Sequence, residues 1–501
     1  MKERAAGEIQ RDSEVLAAIT ALQVRDLPTR GGRTLAYVYD SGVPGLDELA
    51  TAAYASAMNS NALDPTAFPS LPAMEGDLVA TAAALLGGGP TTVGTVTSGG
   101  TESCMLAVAA ARDGAPHITA PRMVIASSAH AAFHKAAHYF GVTIDMVDVD
   151  PVTLRANPAA MEAAIGPNTV LVVASAPSYA HGVIDPITPI AAAAAERGVR
   201  CHVDACIGGW ILGSWRRFGV VVGQRPLPPF DLAVPGVTSI SVDLHKYAYT
   251  PKGASVLLHA SAELRASQYF VETQWPGYAM LNTTLQSTRS GGPIAAAWAV
   301  VKRLGDSGYR DIAVRTASAV EAISRGVAAI DGLRLLAEPD ATLIAVATAA
   351  TEPADGEPAS GPNVFAIADE MAARGYYIQP QFAFRGVPAS LHMTVTAANA
   401  GNEAELIAAL AQSVDAAAAV GDPSVGVDVI EAVLQADLSA PGGLVAVASS
   451  LGLIGDGGSL TLPQRMAPIN ALLDALPAAS REQVLRGVLS LLTAPGRSLL
   501  D

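Results

Sequence analysis

The sequence predicts an α/β protein: a large domain on a mostly parallel sheet, then a smaller α+β C-terminal domain. Two observations carry this. From about Asn59 to about residue 310, segments with helical periodicity alternate with short strand-like apolar runs, the rhythm of consecutive βαβ units. Half of the 501 residues are apolar and only 15% are charged, so the chain can bury a large core. Helices on both faces of such a sheet leave function to the turns just past the carboxyl ends of the strands.

The elements follow in order. "EVLAAITALQVR" reads as an amphipathic helix, and "PTRGGRTLAYVYDSG" as an extended, glycine-flanked arm. Helical "AMEGDLVATAAALLGG" leads to strand "TTVGTVTS", then helix "ESCMLAVAAARD", strand "RMVIAS", helix "AAFHKAAHYFG" and strand "TIDMVDVD". Helix "PAAMEAAIG", strand "TVLVVASA", helix "ITPIAAAAAERG" and strand "CHVDAC" continue the pattern. Helical "GPIAAAWAVVKRLGDSG" leaves the large domain. Beyond it, strands "ATLIAVAT" and "LHMTVTA" and helices "NVFAIADEMAARG" and "EAELIAALAQSVDAAAAVG" form the smaller unit, with "TEPADGEPASGPN" a polar loop. The expected organisation is an N-terminal helix and arm over residues 1–58, the large domain over 59–310, the small domain over 311–420 and a helical extension over 421–501.

Formal charge is −15, which disfavours nucleic acid or an anionic membrane as partner. Three cysteines, Cys104, Cys201 and Cys206, are too few for a disulfide framework and lack zinc spacing, which fits a reducing compartment. Lys2, Glu3, Arg4 and Glu8 leave no apolar signal region, and Leu438 to Gly455, though uncharged, carries Pro441 and several glycines; a cytoplasmic protein without a membrane span is expected.

The chemistry gathers at strand ends. In "TVTSGGTESCMLA" a strand runs into Ser98, Gly99 and Gly100 and a helix starts near Thr101, either an anion cup or a plain glycine turn. It has neither the P-loop lysine nor GxGxxG spacing. Asp204 ends the apolar strand of "CHVDACIGGW"; a buried carboxylate needs a partner unless it caps the next turn. His130 lies where a strand meets a helix, while His134 and His138 sit one helical turn apart without a carboxylate to complete a metal set. In "SVDLHKYAYTPKG" a strand ends on His245 and Lys246; a buried lysine beside a cation is expected to have a lowered pKa and to attack a carbonyl. A phosphate cup, a carboxylate for a pyridine nitrogen and a lysine for an aldehyde together specify pyridoxal 5'-phosphate, with His130 flat on the ring.

These motifs, with "LDPTAFPSLPAMEGDLVA", "SAPSYAHGVIDPI" and "WPGYAMLNTTLQSTRSGG", resemble the fold type I pyridoxal-phosphate-dependent decarboxylases, most of all the sphingosine-1-phosphate lyase branch, over about residues 30 to 310 and more weakly to about 415. The resemblance implies a PLP-dependent transferase-like fold. It implies that Lys246 forms a Schiff base, that His245, Gly100 and Thr101 hold the cofactor phosphate, that Asp204 binds the ring nitrogen and that His130 stacks on the ring. It implies that Thr288, in a turn reading Ser287-Thr288-Arg289, reaches the phosphate of a neighbouring subunit, hence a homodimer with shared sites, and that Tyr39, Asn61, Tyr179 and Lys252 line the substrate side. The sequence departs from the family at Ala248, where "HKYGY" has glycine, and at "STRSG" in place of "GSRPG"; the tail after residue 421 lies outside the resemblance. The implied activity is retro-aldol cleavage of a phosphorylated amino alcohol. Amino-acid decarboxylation is the alternative, and a non-catalytic cofactor-binding scaffold is the reading of another class. Lyase and decarboxylase differ only in which bond the pocket orients.

Overall fold

The computed structural model describes residues 12–223, 226–349, 362–421, 423, 427–435 and 463–492. The chain divides into two compact units, one of residues 30–419 and one of residues 1–29 with 420–501.

The larger unit is built on a seven-stranded sheet of order β1-β7-β6-β5-β4-β2-β3. Its strands are β1 (Val93–Thr97), β2 (Arg122–Ala126), β3 (Thr143–Val147), β4 (Thr169–Ser175), β5 (Arg200–Asp204), β6 (Ser239–Asp243) and β7 (Ser255–His259). β3, β2, β4, β5 and β6 pair in parallel, and β7 runs antiparallel between β6 and β1. Alternate residues serve opposite layers. Met123, Ile125, Leu171 and Val173 pack with Cys104, Val108 and Phe133 on one face, whereas Val124, Val172 and Ala174 pack with Trp210, Trp215 and Leu212 on the other. A sheet covered on both faces explains why its strands read as continuous apolar runs. Each fully buried aliphatic side chain contributes about 1.5–3 kcal/mol.

The helix Gly291–Ala328 crosses the unit, kinked where Gly305 leaves helical geometry at φ 51°. Trp215 donates its Nε1–H to the Ala313 carbonyl of this helix at 3.0 Å, so the buried indole is satisfied. Two short strands, β8 (Phe270–Glu272) and β9 (Met280–Asn282), form a hairpin with exposed Phe270, Val271 and Leu281. β10 (Leu333–Leu335), β11 (Leu343–Thr348), β12 (Gln379–Gln381) and β13 (Ser390–Thr394) form an antiparallel sheet of order β10-β11-β13-β12. The N-terminal arm is pinned to that sheet: Leu35 donates to Tyr377 O at 2.8 Å and accepts from Thr394 N at 2.6 Å. This tether holds Tyr37 and Tyr39 beside the strand ends of the large sheet.

In the other unit the described helices are Asp12–Leu22, Val427–Gln435, Ala467–Ala475 and Ala478–Leu492, as the helical periodicity there predicts. The loop "TEPADGEPASGPN" up to Gly361, the extreme N-terminus and Leu438–Gly455 lie outside the described residues.

Candidate active site

A cavity of about 380 Å³ opens where β1, β2, β4, β5 and β6 end. Gly100, Thr101, His130, Tyr179, Asp204, His245 and Lys246 all line it, so seven of the residues singled out in the sequence meet in one place. Pairing of β4, β5 and β6 in parallel register sets Ser175 beside Asp204 and Asp204 beside Ser241, which brings the strand-end residues to one level.

The cup after β1 is tied from both sides. The Ser98 N–H donates to Glu102 Oε2 at 2.6 Å and the Leu285 N–H donates to Glu102 Oε1 at 2.8 Å. At Gly100 a Cβ would come within 2.7 Å of Asp243 Oδ2 and 2.8 Å of Cys206 Sγ, so only glycine fits. His130 caps the helix Ala131–Phe140, its Nδ1 accepting from Ala132 N at 3.1 Å, which leaves Nε2 free to face the cavity. Asp204 is 8% exposed; its Oδ1 accepts from Cys206 N at 3.1 Å, and no ion pair to it is found among the described residues.

The end of β6 holds an ion pair with a histidine beside it. Lys246 Nζ lies 2.9 Å from Asp243 Oδ2, and His245 Nε2 lies 3.5 Å from the same oxygen. A tight turn, Lys246 N to Asp243 O at 3.4 Å, sets the carboxylate under the lysine. Burial alone would raise the Asp243 carboxyl, but the charges of Lys246 and His245 hold it below the ordinary range. Burial alone would lower Lys246; Asp243, then Tyr39, outweigh it and hold the amine well above its ordinary value. The expectation of a lowered lysine pKa is therefore corrected: the buried counter-charge wins over desolvation and the neighbouring cation. His245 is lowered, mainly by burial, against the opposing charge of Asp243.

Tyr39, Asn61, Lys252 and Thr288 do not line this cavity. Lys252 sits at an exposed rim, donating to Tyr37 O at 2.7 Å with its Nζ 4.8 Å from the centre of the Tyr39 ring. Partial loss of hydration, then the charge of Lys246, lowers it to about 8. Asn61 Oδ1 accepts from the Leu63 and Arg289 N–H groups and so braces the turn that carries Thr288, which is exposed. Tyr179 donates to Gln379 Oε1 at 2.6 Å and stacks on His392 at 4.2 Å, and burial raises it to about 12. His130 and Tyr179 also border a second cavity of about 290 Å³, walled by Val149, Phe382, Phe384, Val387 and Pro388. Ala248 keeps a negative φ and accepts from Tyr309 Oη at 3.0 Å, so alanine for glycine there costs no strain.

Sequence reasoning gave no role in the site to Asp243, Glu102, Cys104 and Cys206, and read the cysteines as lacking zinc spacing. Asp243 had a legible signal, a carboxylate three residues before the lysine. Cys104 and Cys206 lie 102 residues apart, with nothing in the chain to join them, yet their sulfurs stand 3.9 Å apart.

The residues present fit pyridoxal phosphate. An amine opens into the cavity, a buried carboxylate has no cation beside it among the described residues, and a cup that a single Cβ would fill ends on a helix N-terminus. Sheet and site together define a fold type I pyridoxal-phosphate enzyme. The model of the pyridoxal-dependent decarboxylase conserved domain matches residues 41–348, and the chain belongs to that family, with pyridoxal phosphate as its cofactor. A second model, described as a candidate C-terminal HTH domain of pyridoxal-dependent enzymes, matches residues 404–491 and so takes in most of the tail that the resemblance left out. A sphingosine-1-phosphate lyase of Dictyostelium discoideum is 36% identical over 368 residues, 73% of this chain and 66% of its own length; the chain thus spans about two thirds of that curated relative. The structure of a Burkholderia pseudomallei sphingosine-1-phosphate lyase is similar at 34% identity and a TM-score of 0.74, covering 83% of this chain and 92% of that one. A Lactobacillus brevis glutamate decarboxylase shares the fold at 19% identity and a TM-score of 0.69, covering 83% and 95%.

Proposed function

We propose that the protein is a pyridoxal-phosphate-dependent carbon–carbon lyase, similar to sphingosine-1-phosphate lyases, that cleaves a phosphorylated amino alcohol by retro-aldol chemistry. The observation that carries this reading is the kinship itself: lyases are similar at 34% and 36% identity over most of the chain, the glutamate decarboxylase only at 19%. The apolar cavity beyond His130 and Tyr179 supports a substrate with an apolar end, and the Lys252 cation supports one with a second phosphate.

The cofactor supplies an electron sink for the carbon that bears the substrate amine. Lys246 would be the attachment point for the cofactor aldehyde, and Asp243, 2.9 Å from its Nζ, would hold that amine as an ammonium whenever it is free. Asp204 would hold the ring nitrogen, His130 would pack against the ring, and Gly100, Thr101 and His245 would secure the phosphate. The bond between the hydroxyl-bearing and amine-bearing carbons breaks, the hydroxyl proton leaves to a base, and the amine-bearing carbon takes up a proton. The products are an aldehyde and an amino-alcohol phosphate.

The active unit in this reading is a cytoplasmic homodimer in which Thr288 completes the neighbouring site. Exposed Phe270, Val271, Tyr278, Leu281 and Leu285 beside that turn support a second copy as the occupant. The three cysteines are free and buried, and among the described residues no helix is long and apolar enough to cross a membrane. The test is incubation with a phosphorylated sphingoid base and with a panel of amino acids, measuring aldehyde in one case and CO₂ in the other. Aldehyde from the first substrate is expected; CO₂ without aldehyde overturns the reading in favour of decarboxylation. Wild type that stays colourless after cofactor addition overturns both in favour of a scaffold.

A further inference from the structure

Cys104, Asp204 and Cys206 form the one cluster of metal-ligating side chains among the described residues, and the function proposed above uses only the aspartate. One ligand atom from each lies within 4.8 Å of the others, and all three residues are buried and line the cavity. We propose that the cofactor-free protein binds one thiophilic divalent cation, such as zinc, through Cys104 Sγ, Cys206 Sγ and the Asp204 carboxylate, and that this cation and the cofactor exclude each other.

The geometry suits the ion. Tetrahedral zinc with sulfur ligands at about 2.3 Å places two sulfurs about 3.8 Å apart; the sulfurs here stand at 3.9 Å. The ligands come from firm elements: Cys104 from the helix Gly100–Asp113, Asp204 from the last residue of β5, and Cys206 two residues on. The Cys206 N–H occupies Asp204 Oδ1, which leaves Oδ2 for a cation. Ser241 Oγ, 3.1 Å from Cys206 Sγ, supplies an outer partner that orients one ligand. The open side of the cluster is the cavity, where a water completes the fourth position.

The charge balance is also suitable. Binding releases both thiol protons to solvent. Two thiolates, a carboxylate and a divalent cation sum to one negative charge, the same as two thiols with an ionised carboxylate. The charged groups that face the cluster are Asp243 and Lys246, which neutralise each other across 2.9 Å. Exclusion follows because one carboxylate cannot serve both the ring nitrogen and the metal. That half of the proposal rests on Asp204 as ring-nitrogen partner; the binding half does not.

The test uses the full-length protein, stripped of cofactor, reduced and titrated with zinc. One zinc per chain should survive desalting, with about two protons released per zinc. Cofactor loading, read from the visible band, should slow in proportion to the zinc-occupied fraction and recover with a chelator. Cobalt should show sulfur-to-cobalt absorption in wild type and lose it in Cys104→Ser. That variant should lose at least about tenfold in zinc affinity while still loading cofactor, which doubles as its folding control; Cys104→Ala replaces it if it does not. The proposal fails if no zinc is retained, if Cys104→Ser or Cys104→Ala retains zinc as wild type does, or if zinc and cofactor occupy one chain together. None of these results bears on which bond of a substrate is cleaved.

Discussion

Asp243→Asn probes the electrostatics of the site most directly. Asparagine keeps the size and one hydrogen bond to Lys246 but removes the charge 2.9 Å from Nζ. At an effective dielectric of about 20, that attraction is worth roughly 6 kcal/mol; set against desolvation, losing one partner of a buried pair costs about 3–5 kcal/mol. The variant lysine escapes most of this cost by releasing its proton. The sign follows from linkage. Lys246 is raised in the fold, so its share of stability is present below the unfolded lysine value and lost as pH rises through the folded one; Asp243 is lowered, so its share is present above the unfolded aspartate value and lost as pH falls through the folded one. Near neutral pH the wild-type amine is therefore charged, and only its neutral form attacks an aldehyde. The assay is the rate at which the visible band grows when pyridoxal phosphate is added to cofactor-free protein between about pH 5 and about pH 9. Wild type should load faster with each step up in pH. The variant's rise should begin at least about one unit lower, since only 1.4 kcal/mol of lost interaction is needed for that. Superimposable profiles would refute the claim that Asp243 holds the lysine charged.

Three further outcomes follow from the geometry. Gly100→Ala should abolish tight cofactor retention while leaving the fold intact by circular dichroism, because its Cβ would meet Asp243 and Cys206 inside 3 Å. Lys252, lowered to about 8, is a cation below that value; KM for a phosphorylated substrate should rise as pH passes it, and Lys252→Met should show a flat profile with KM raised roughly tenfold or more. Trp215→Ala removes a buried indole and its bond to Ala313 O, and should cost about 3–5 kcal/mol, read as a lowered urea midpoint.

The alternation of apolar strands and helical stretches predicted the sheet, because strands buried on both faces cannot hide their composition. The residues of the cavity were legible for a related reason. Parallel strands deliver their carboxyl ends to one edge, so the turns carrying Gly100, His130, Asp204 and Lys246 had to converge. Each lies beside its strand in the chain, and short-range pattern was enough.

What the sequence alone determined, then, is the set of groups at that edge and the cofactor they suit. Only the tertiary structure decided their electrical state and their unexpected neighbours. Lys246 is charged because of Asp243, not nucleophilic by default. Tyr179 meets Gln379 across 200 residues and Lys252 meets Tyr37 across 215, because the arm and the small sheet fold back over the strand ends. The cause is general: which residues exist is written locally, whereas the sign of a pKa shift depends on distances between groups that only the packed chain brings within a few ångströms.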